Sequence, residues 1–302
     1  MPLLLAESAK LSNDMVQRGV IETILEESPM LRMLPFLEVE GNSFKYNQET
    51  TLGGAQFYAV NGVWSEGTAT FTQKTASLAI LGGDADVDAF VQRTRSNMTD
   101  QRAIQTMLKA KDVARKWEQT VLTGDVTADP NAFDGLKTLF PSTSLSGQVM
   151  TPAAGGGALT LALLDQLIDL VKGGKPDLLL MSKRTRRKLK SLLTASAHYV
   201  ETGESSFGRQ VMFYDGIPVL VSDYIADTEA ADNGSGSTFS SIYAIHFSPA
   251  DGMVGLTNGG IEAVDIVPLE TKDASRVRIR WYVGLAVLRD SAIARMNGIS
   301  AA

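Results

Sequence analysis

Between residues 99 and 122 apolar side chains recur at Ile104, Met107, Leu108, Ala114, Trp117 and Val121, a spacing that belongs to a helix and not to a strand. Thr99 is placed to cap the start, Asp100 sits favourably in the first turn, and Gly124 follows as a stop. Asp112 and Lys116, one turn apart on the exposed side, can pair weakly. At ~1.5 Å per residue the helix runs roughly 35 Å, about twice the length of a mean helix of roughly 11–12 residues. Its surroundings tighten the constraint. On either side the chain reads as reaching outward, not as closing into a compact enzyme core.

The segment in front of the helix, residues 42–88, is extended. In SFKYNQET, Phe44 and Tyr46 share one face, and TFTQKTASLAIL at 70–81 is a second run. TLGGAQFYAVNGVWSEG joins them, so the pair reads as a long β-hairpin with a wide tip. A two-stranded ribbon is marginal alone in water and should lie against something else. Phe57, Tyr58, Val60, Val63 and Trp64 at the tip are costly to leave solvated. Either the tip tucks under its own domain or it packs on a neighbouring subunit. Residues 1–40 form a loose N-terminal arm, with a short amphipathic pattern at Val16, Val20, Ile21, Ile24 and Leu25 that stops at Ser28-Pro29.

After the long helix, GDVTADPNAFDGLKTLF is turn-rich, and PAAGGGALT at 152–160 is a flexible joint and a candidate boundary. The rest alternates helix and strand. Leu161, Leu164, Leu167, Ile168 and Val171 form a helical stripe, DLLLMS is a buried strand, and Ser182 caps a basic helix running to about Ala195. IPVLVSDY is a further strand, and TEAADNGSGST at 228–238 is a polar loop with little reason to be ordered. Strands follow at 242–247, 261–267 and 276–288; the last begins with alternation and turns continuously apolar, so its first half is half-exposed and its second buried. The class is α+β.

Composition narrows the functions available. A net charge of −6, from 28 basic and 34 acidic residues, argues against a general nucleic-acid binder, though not against a local basic patch. There is no cysteine, which removes disulfides, thiolate nucleophiles and cysteine zinc sites. MPLLLAESAK lacks the basic region and apolar length of a signal peptide, and no stretch approaches the ~18 apolar residues of a membrane span. The chain is expected to be soluble and made in a cytoplasm.

Catalytic patterns are missing. His198 and His246 have no paired metal spacing and read as structural, and no GxSxG elbow occurs. Gly173-Gly174-Lys175 does not complete a phosphate loop, because Pro176 stands where Ser or Thr must bind magnesium. Asp84, Asp86 and Asp88 resemble the start of a calcium loop, but Ala89 replaces its glycine and Arg95 its bidentate glutamate, so on a strand they form one solvated acidic face. No enzyme activity, cofactor or metal is expected. The strongest charge signal is Lys183, Arg184, Arg186, Arg187, Lys188 and Lys190, with Leu189, Leu192 and Leu193 as the buried stripe. Such a run grips phosphate, serves as an import signal, is a solvated face, or pairs with acids on an adjacent protomer.

Taken in order, these elements resemble the major capsid protein of tailed bacteriophages, with the Hong Kong 97-like fold. The resemblance covers nearly the whole chain: the arm; the loop SFKYNQET…VWSEGTATFTQKTASLAILGGDADVD, with Trp64-Ser65-Glu66-Gly67 at its return; and TDQRAIQTMLKAKDVARKWEQTVLTGD as spine helix, followed by Asp134-Gly135-Leu136. PDLLLMSKRTRRKLKSLL, FGRQVMFYDGIPVLVSD and RVRIRWYVGLAVLRDSAIARM are similar to the later strands and helix of that family. The resemblance implies an arm over 1–40, an extended loop over 41–90, a peripheral domain with the spine helix over 91–158, a mainly axial domain over 159–265, and a return to the peripheral domain over 266–302.

It implies assembly as the function: pentamers and hexamers in an icosahedral or prolate shell around double-stranded DNA, with scaffolding and portal proteins as partners and no membrane. The shell would be the virion capsid, assembled in the host bacterial cytoplasm. The loop tip (Phe57, Tyr58, Val63, Trp64, Glu66) would contact the neighbouring subunit, Ile104, Met107, Leu108 and Trp117 would pack the spine helix, and Arg184, Arg186, Arg187 and Lys188 would make a charged contact. Lys45 and Lys74 lie in the hairpin strands, so the covalent cross-linking of some members is not carried over. Because the chain starts almost at the arm, it is either already processed or uses a separate scaffold. Two alternatives stand beside this: an encapsulin-type shell holding enzyme cargo, and a small α+β enzyme or ligand-binding protein.

Overall fold

The computed structural model describes residues 24, 28–90, 101–141, 147–195, 201–204, 210–230, 236, 238–266 and 273–300. The caps expected at Thr99 and Asp100, most of the arm's amphipathic pattern, His198 and much of the 228–238 loop lie outside the described residues. The described helices are α1 (Pro29–Met33), α2 (Gln101–Thr123), α3 (Leu136–Leu139), α4 (Leu161–Leu170) and α5 (Lys183–Ala195). The strands are β1 (Phe36–Glu38), β2 (Ser43–Thr51), β3 (Thr70–Ser77), β4 (Ala79–Asp88), β5 (Val149–Met150), β6 (Leu178–Met181), β7 (Glu201–Glu204), β8 (Gln210–Tyr214), β9 (Ile217–Val221), β10 (Ser240–Ile245), β11 (Met253–Ile266), β12 (Ala274–Val287) and β13 (Ile293–Ile299).

They build an α+β molecule with three sheets: a four-stranded sheet in the order β1-β11-β12-β4, a seven-stranded sheet in the order β5-β13-β10-β6-β9-β8-β7, and the separate ribbon β2-β3. The expected extended run at 70–81 is split at Leu78, whose amide bonds to the Asn42 carbonyl. β3 stays in the ribbon, while β4 leaves it to pair antiparallel with β12 from Ala79↔Val283 to Asp88↔Ala274. β11 pairs along β12 and so belongs with the four-stranded sheet, whereas β13 pairs with β10 and β5 inside the seven-stranded one.

A long helix needs a long apolar floor, and α2 finds it between the two larger sheets. Ala110, Val113, Ala114, Trp117, Val121 and Leu122 are buried in one cluster with Trp281 and Ile279 of β12 and with Leu178, Tyr243 and Ile293 of the seven-stranded sheet. The Trp117 and Trp281 rings stack with centroids 6.1 Å apart. Ile24, Met30, Leu31 and Leu34 join the same cluster, which fastens the end of the arm to the helix. At the helix end Gly124 is a close-packing point. A Cβ there would overlap the Phe133 carbonyl oxygen, so no larger residue fits. The Gly135 amide and the Thr138 hydroxyl both bond to the Gly124 carbonyl and bring α3 back beside the helix.

The LLLM of β6 is continuously apolar because both of its faces are covered. Leu178 and Leu180 point into the cluster shared with α2, while Leu179 and Met181 point into a second cluster closed by Leu164, Leu167 and Ile168 of α4 and Leu189 and Leu193 of α5. The glycine joint at 152–160 is not a free linker. The Gly157 amide bonds to the Gly298 carbonyl and the Ser300 amide to the Gly157 carbonyl, which ties it along β13.

Candidate assembly surfaces

The ribbon leaves the body through a small amphipathic base. Phe44 and Tyr46 on β2 and Ala76 on β3 lie against Val254, Leu256 and Ala286 of the four-stranded sheet, as the alternation of SFKYNQET requires. Polar contacts fix the angle. The Gln48 side-chain amide donates to the Val287 and Leu288 carbonyls at 3.1 and 3.0 Å, and Lys74 Nζ donates to Asp290 Oδ1 at 2.8 Å. Burial, and then the nearby Asp290 carboxylate, raise the Tyr46 phenol above its ordinary pKa. Sequence reasoning missed this clamp, because its two halves lie more than two hundred residues apart; the inward parity of Gln48 with Phe44 and Tyr46 was the available signal.

Beyond Thr51 and Thr70 the two strands part into the tip. Gly53 and Gly67 form its neck, so close that a Cβ on Gly67 would collide with the Gly53 carbonyl oxygen. Within the tip Tyr58 and Trp64 face each other at 4.3 Å between ring centroids, and the Ser65 amide donates to the Tyr58 hydroxyl at 3.1 Å. Phe57, Val60 and Val63 are almost wholly exposed, Trp64 is 78% exposed, and Glu66 is exposed. The tip does not tuck under its own domain. It is an apolar end with nothing packed against it among the described residues.

The spine helix corrects part of the expected packing stripe. Trp117 is buried at 1% exposure, Ile104 is half-buried, but Met107 and Leu108 are 50% and 53% exposed. The buried line instead runs through Thr106, Ala110, Val113 and Ala114, since the floor of the helix begins only where β12 and the seven-stranded sheet reach it. Lys109 takes Asp112 at 3.5 Å, in place of the Asp112–Lys116 pair expected from spacing.

On α5 the Ser182 hydroxyl accepts from the Thr185 amide at 3.2 Å, as a cap should. Two of the basic side chains serve the fold. Lys183 pairs with Asp223 at 2.7 Å, and Arg184, 20% exposed, pairs with Asp227 and donates to the Thr238 carbonyl. Arg186, Arg187 and Lys190 are exposed and Lys188 is half-buried, while Leu189 and Leu193 are buried.

Asp84 and Asp86 form no ion site. Each stands across the strand pair from an arginine: Arg278 holds Asp84 through two bonds of 2.7 and 2.8 Å, and Arg276 holds Asp86 at 2.6 and 2.7 Å. Those bonds keep the Asp84 carboxyl below the ordinary carboxylate range. His246 Nδ1 lies 2.8 Å from an Asp177 carboxylate oxygen. Deeper still, Arg295 and Glu229 pair at 3.1 Å with almost no exposure, and Arg295 also donates to the Phe140 carbonyl and the Ser241 hydroxyl. Among the described residues no group of His, Asp and Glu is arranged to hold a metal, and no helix is long and apolar enough to cross a membrane.

Among the described residues the chain thus leaves an apolar tip uncovered at the end of a clamped ribbon. No curated protein sequence matches the chain. Among solved structures, the holo-SrpI encapsulin complex from Synechococcus elongatus PCC 7942 is similar with a TM-score of 0.71 at 20% identity, covering 100% of this chain and 97% of that one. The capsid of the native GTA particle is similar with a TM-score of 0.62 at 15% identity, covering 92% and 90%. A Mycobacterium phage Bobi structure gives a TM-score of 0.61 at 15% identity, covering 91% and 89%. These similarities show the fold, an α+β Hong Kong 97-like capsid fold. The model of the phage capsid family matches residues 11–298, and with that span the chain belongs to the phage capsid family.

Proposed function

We propose that this chain is the major capsid protein of a tailed-phage head, self-assembling as pentamers and hexamers into a shell that encloses double-stranded DNA. The observation that carries the reading is the apolar tip at residues 57–64, uncovered among the described residues and held out from the body on a clamped ribbon. Family membership and the multi-subunit capsids among its structural neighbours support a structural role in a homo-oligomeric shell. In this reading the four-stranded sheet with α2 forms the peripheral domain and the seven-stranded sheet the axial domain. Phe57, Tyr58, Val63, Trp64 and Glu66 contact the adjacent subunit, and the outward cations of α5 make a charged contact. Scaffolding and portal proteins complete a virion head assembled in the host bacterial cytoplasm.

A second reading has its own support. The similarity to the encapsulin covers the whole chain at a TM-score of 0.71, which fits an encapsulin-type compartment filled with protein cargo. Electron microscopy of particles purified from their native source, with nuclease protection of the contents, tests both. Closed shells containing nuclease-protected double-stranded DNA support the head. Closed shells holding protein and no DNA support the compartment, and a compact monomer at high concentration refutes assembly altogether.

A further inference from the structure

The chain carries Asn-Gly pairs at 61–62, 233–234, 258–259 and 297–298. Asparagine is among the chemically labile residues, and a following glycine has no Cβ to shield its amide nitrogen from the asparagine side chain. The pair at 233–234 lies outside the described residues, and the fold treats the others differently. Asn297 is fully buried in β13, which is flanked by β5 and β10. Asn258 is exposed, but its side-chain amide donates to the Val39 carbonyl at 3.0 Å and its backbone pairs with Tyr282 of β12. Asn61 is exposed in the ribbon tip, beyond the last paired residues Thr51 and Thr70, and its side chain has no hydrogen-bond partner among the described residues. It sits at a φ of 65°, in a turn that the Gly62 amide closes on the Ala59 carbonyl at 2.9 Å.

We propose that Asn61-Gly62 is a self-modification site, at which the asparagine converts to aspartate or isoaspartate in chains that have not assembled. The Gly62 amide nitrogen, once it has lost its proton to solvent base, attacks Cγ of Asn61. The new N–Cγ bond closes a five-membered succinimide, the Cγ–Nδ2 bond breaks, and the side-chain amide leaves as ammonia with a proton from solvent. Water then opens the ring at either carbonyl. One opening leaves a side-chain carboxylate, and the other leaves the carboxylate beside a backbone rerouted through the side chain. Water enters and ammonia leaves, with no oxidant or reductant. The bond from Gly62 to Ala59 must open first, and it does so without disturbing a strand ladder, because strand pairing ends at Thr51 and Thr70.

The product places a charge in an apolar end. Position 61 lies between Val60 and Val63, which are uncovered together with Phe57 and Trp64. The consequence rests on the assembly reading above: a tip pressed on an adjacent subunit would have to strip water from the new carboxylate, which opposes docking. A docked tip, in turn, excludes the water that the reaction needs. Conversion therefore falls on free chains and withdraws them from assembly, so the site sets an age limit on unassembled subunits.

Dispersed protein is aged at mildly alkaline pH, which speeds loss of the Gly62 amide proton, and its peptides are read by mass spectrometry for replacement of amide by acid. Position 61 should convert roughly 2- to 10-fold faster than position 258, the factor supplied by one hydrogen bond that holds the Asn258 side chain off its own backbone. Position 297 should keep its amide. An unconverted position 61, or conversion at 258 as fast as at 61, overturns the site. The aged protein is then placed in assembly conditions, and shells are separated from free chains. The acid form should be at least about 10-fold enriched among the free chains, because a carboxylate at the contact must be desolvated. Fresh Asn61→Asp should assemble as poorly as the converted form. Asn61→Gly, which suits the positive φ and has no side-chain carbonyl to attack, should keep its assembly competence on ageing. Equal partition of the acid and amide forms, or equal loss of competence in Asn61→Gly, overturns the age limit and leaves the site standing. Fresh protein that forms no shells removes the assembly reading and the age limit with it, while the site is still decided on dispersed chains.

Discussion

Replacing Trp64 by alanine tests whether this residue serves assembly or folding. Trp64 is 78% exposed in the single chain, and its one close aromatic contact is Tyr58, inside the same tip. Little of the body depends on it, so monomer stability should move by no more than about 0.5 kcal/mol, as for other surface substitutions. For a chain of this size that is a shift in Tm of under ~2 °C. Burial against a neighbour would stabilise each contact by ~2–3 kcal/mol, the upper part of the range for a large apolar side chain. At 1.4 kcal/mol per tenfold, losing it weakens each contact by roughly 30- to 150-fold. A shell repeats that contact around every ring, so the concentration threshold for assembly should rise steeply. Calorimetry on dispersed protein gives the first quantity; light scattering or sedimentation across a concentration series gives the second. A fall in monomer Tm of many degrees, with an unchanged assembly threshold, would refute the reasoning, because it would mean that the tip packs internally.

Trp117→Ala should behave in the opposite way, costing ~3–5 kcal/mol of monomer stability through the cavity left beside Trp281; denaturant unfolding checks it. Arg295→Ala leaves Glu229 as a buried, poorly compensated charge and should cost ~3–5 kcal/mol by the same measurement. Asp84→Asn breaks a cross-strand pair that Arg278 holds below the ordinary carboxylate range. A depressed folded pKa contributes stability above the unfolded value and loses it as pH falls through the folded one. The variant should therefore be less stable by ~0.2–1 kcal/mol at neutral pH, and the gap in urea midpoint should close as the pH falls below 3.8, the carboxyl's ordinary value. Lys74→Ala should speed amide exchange over β2 and β3 with little change in Tm, because Lys74–Asp290 fixes the ribbon and not the core.

Local pattern carried most of what was legible. The 3.6-residue period located α2, the period of two located β2 and the first half of β12, and the continuous LLLM of β6 announced a strand covered on both faces. What failed was nonlocal. Met107 and Leu108 belong to the same helical period as Trp117, and nothing in that period says where the apolar floor begins. Asp84 and Asp86 looked like one solvated acidic face because Arg276 and Arg278 are nearly two hundred residues away, and only sheet pairing brings them opposite. The order β5-β13-β10 places the last strand inside a sheet, a result of tertiary closure that no segment encodes by itself. On the ribbon the apolar tip was legible from its residues, while the Lys74–Asp290 clamp required the fold.

β12 shows how one strand can proofread another. Its second half, Trp281 to Val287, is almost uniformly apolar, so sliding by one residue would still present hydrophobic side chains to both faces. Its first half does not tolerate the same slide. Arg276, Arg278 and Arg280 point outward while Val277, Ile279 and Trp281 point inward, and a single-residue slip would exchange the two sets. Three guanidinium groups would enter the core at several kcal/mol each, and Asp84, Asp86 and Glu262 would lose their partners. The charged half thus fixes the register that the apolar half alone leaves open.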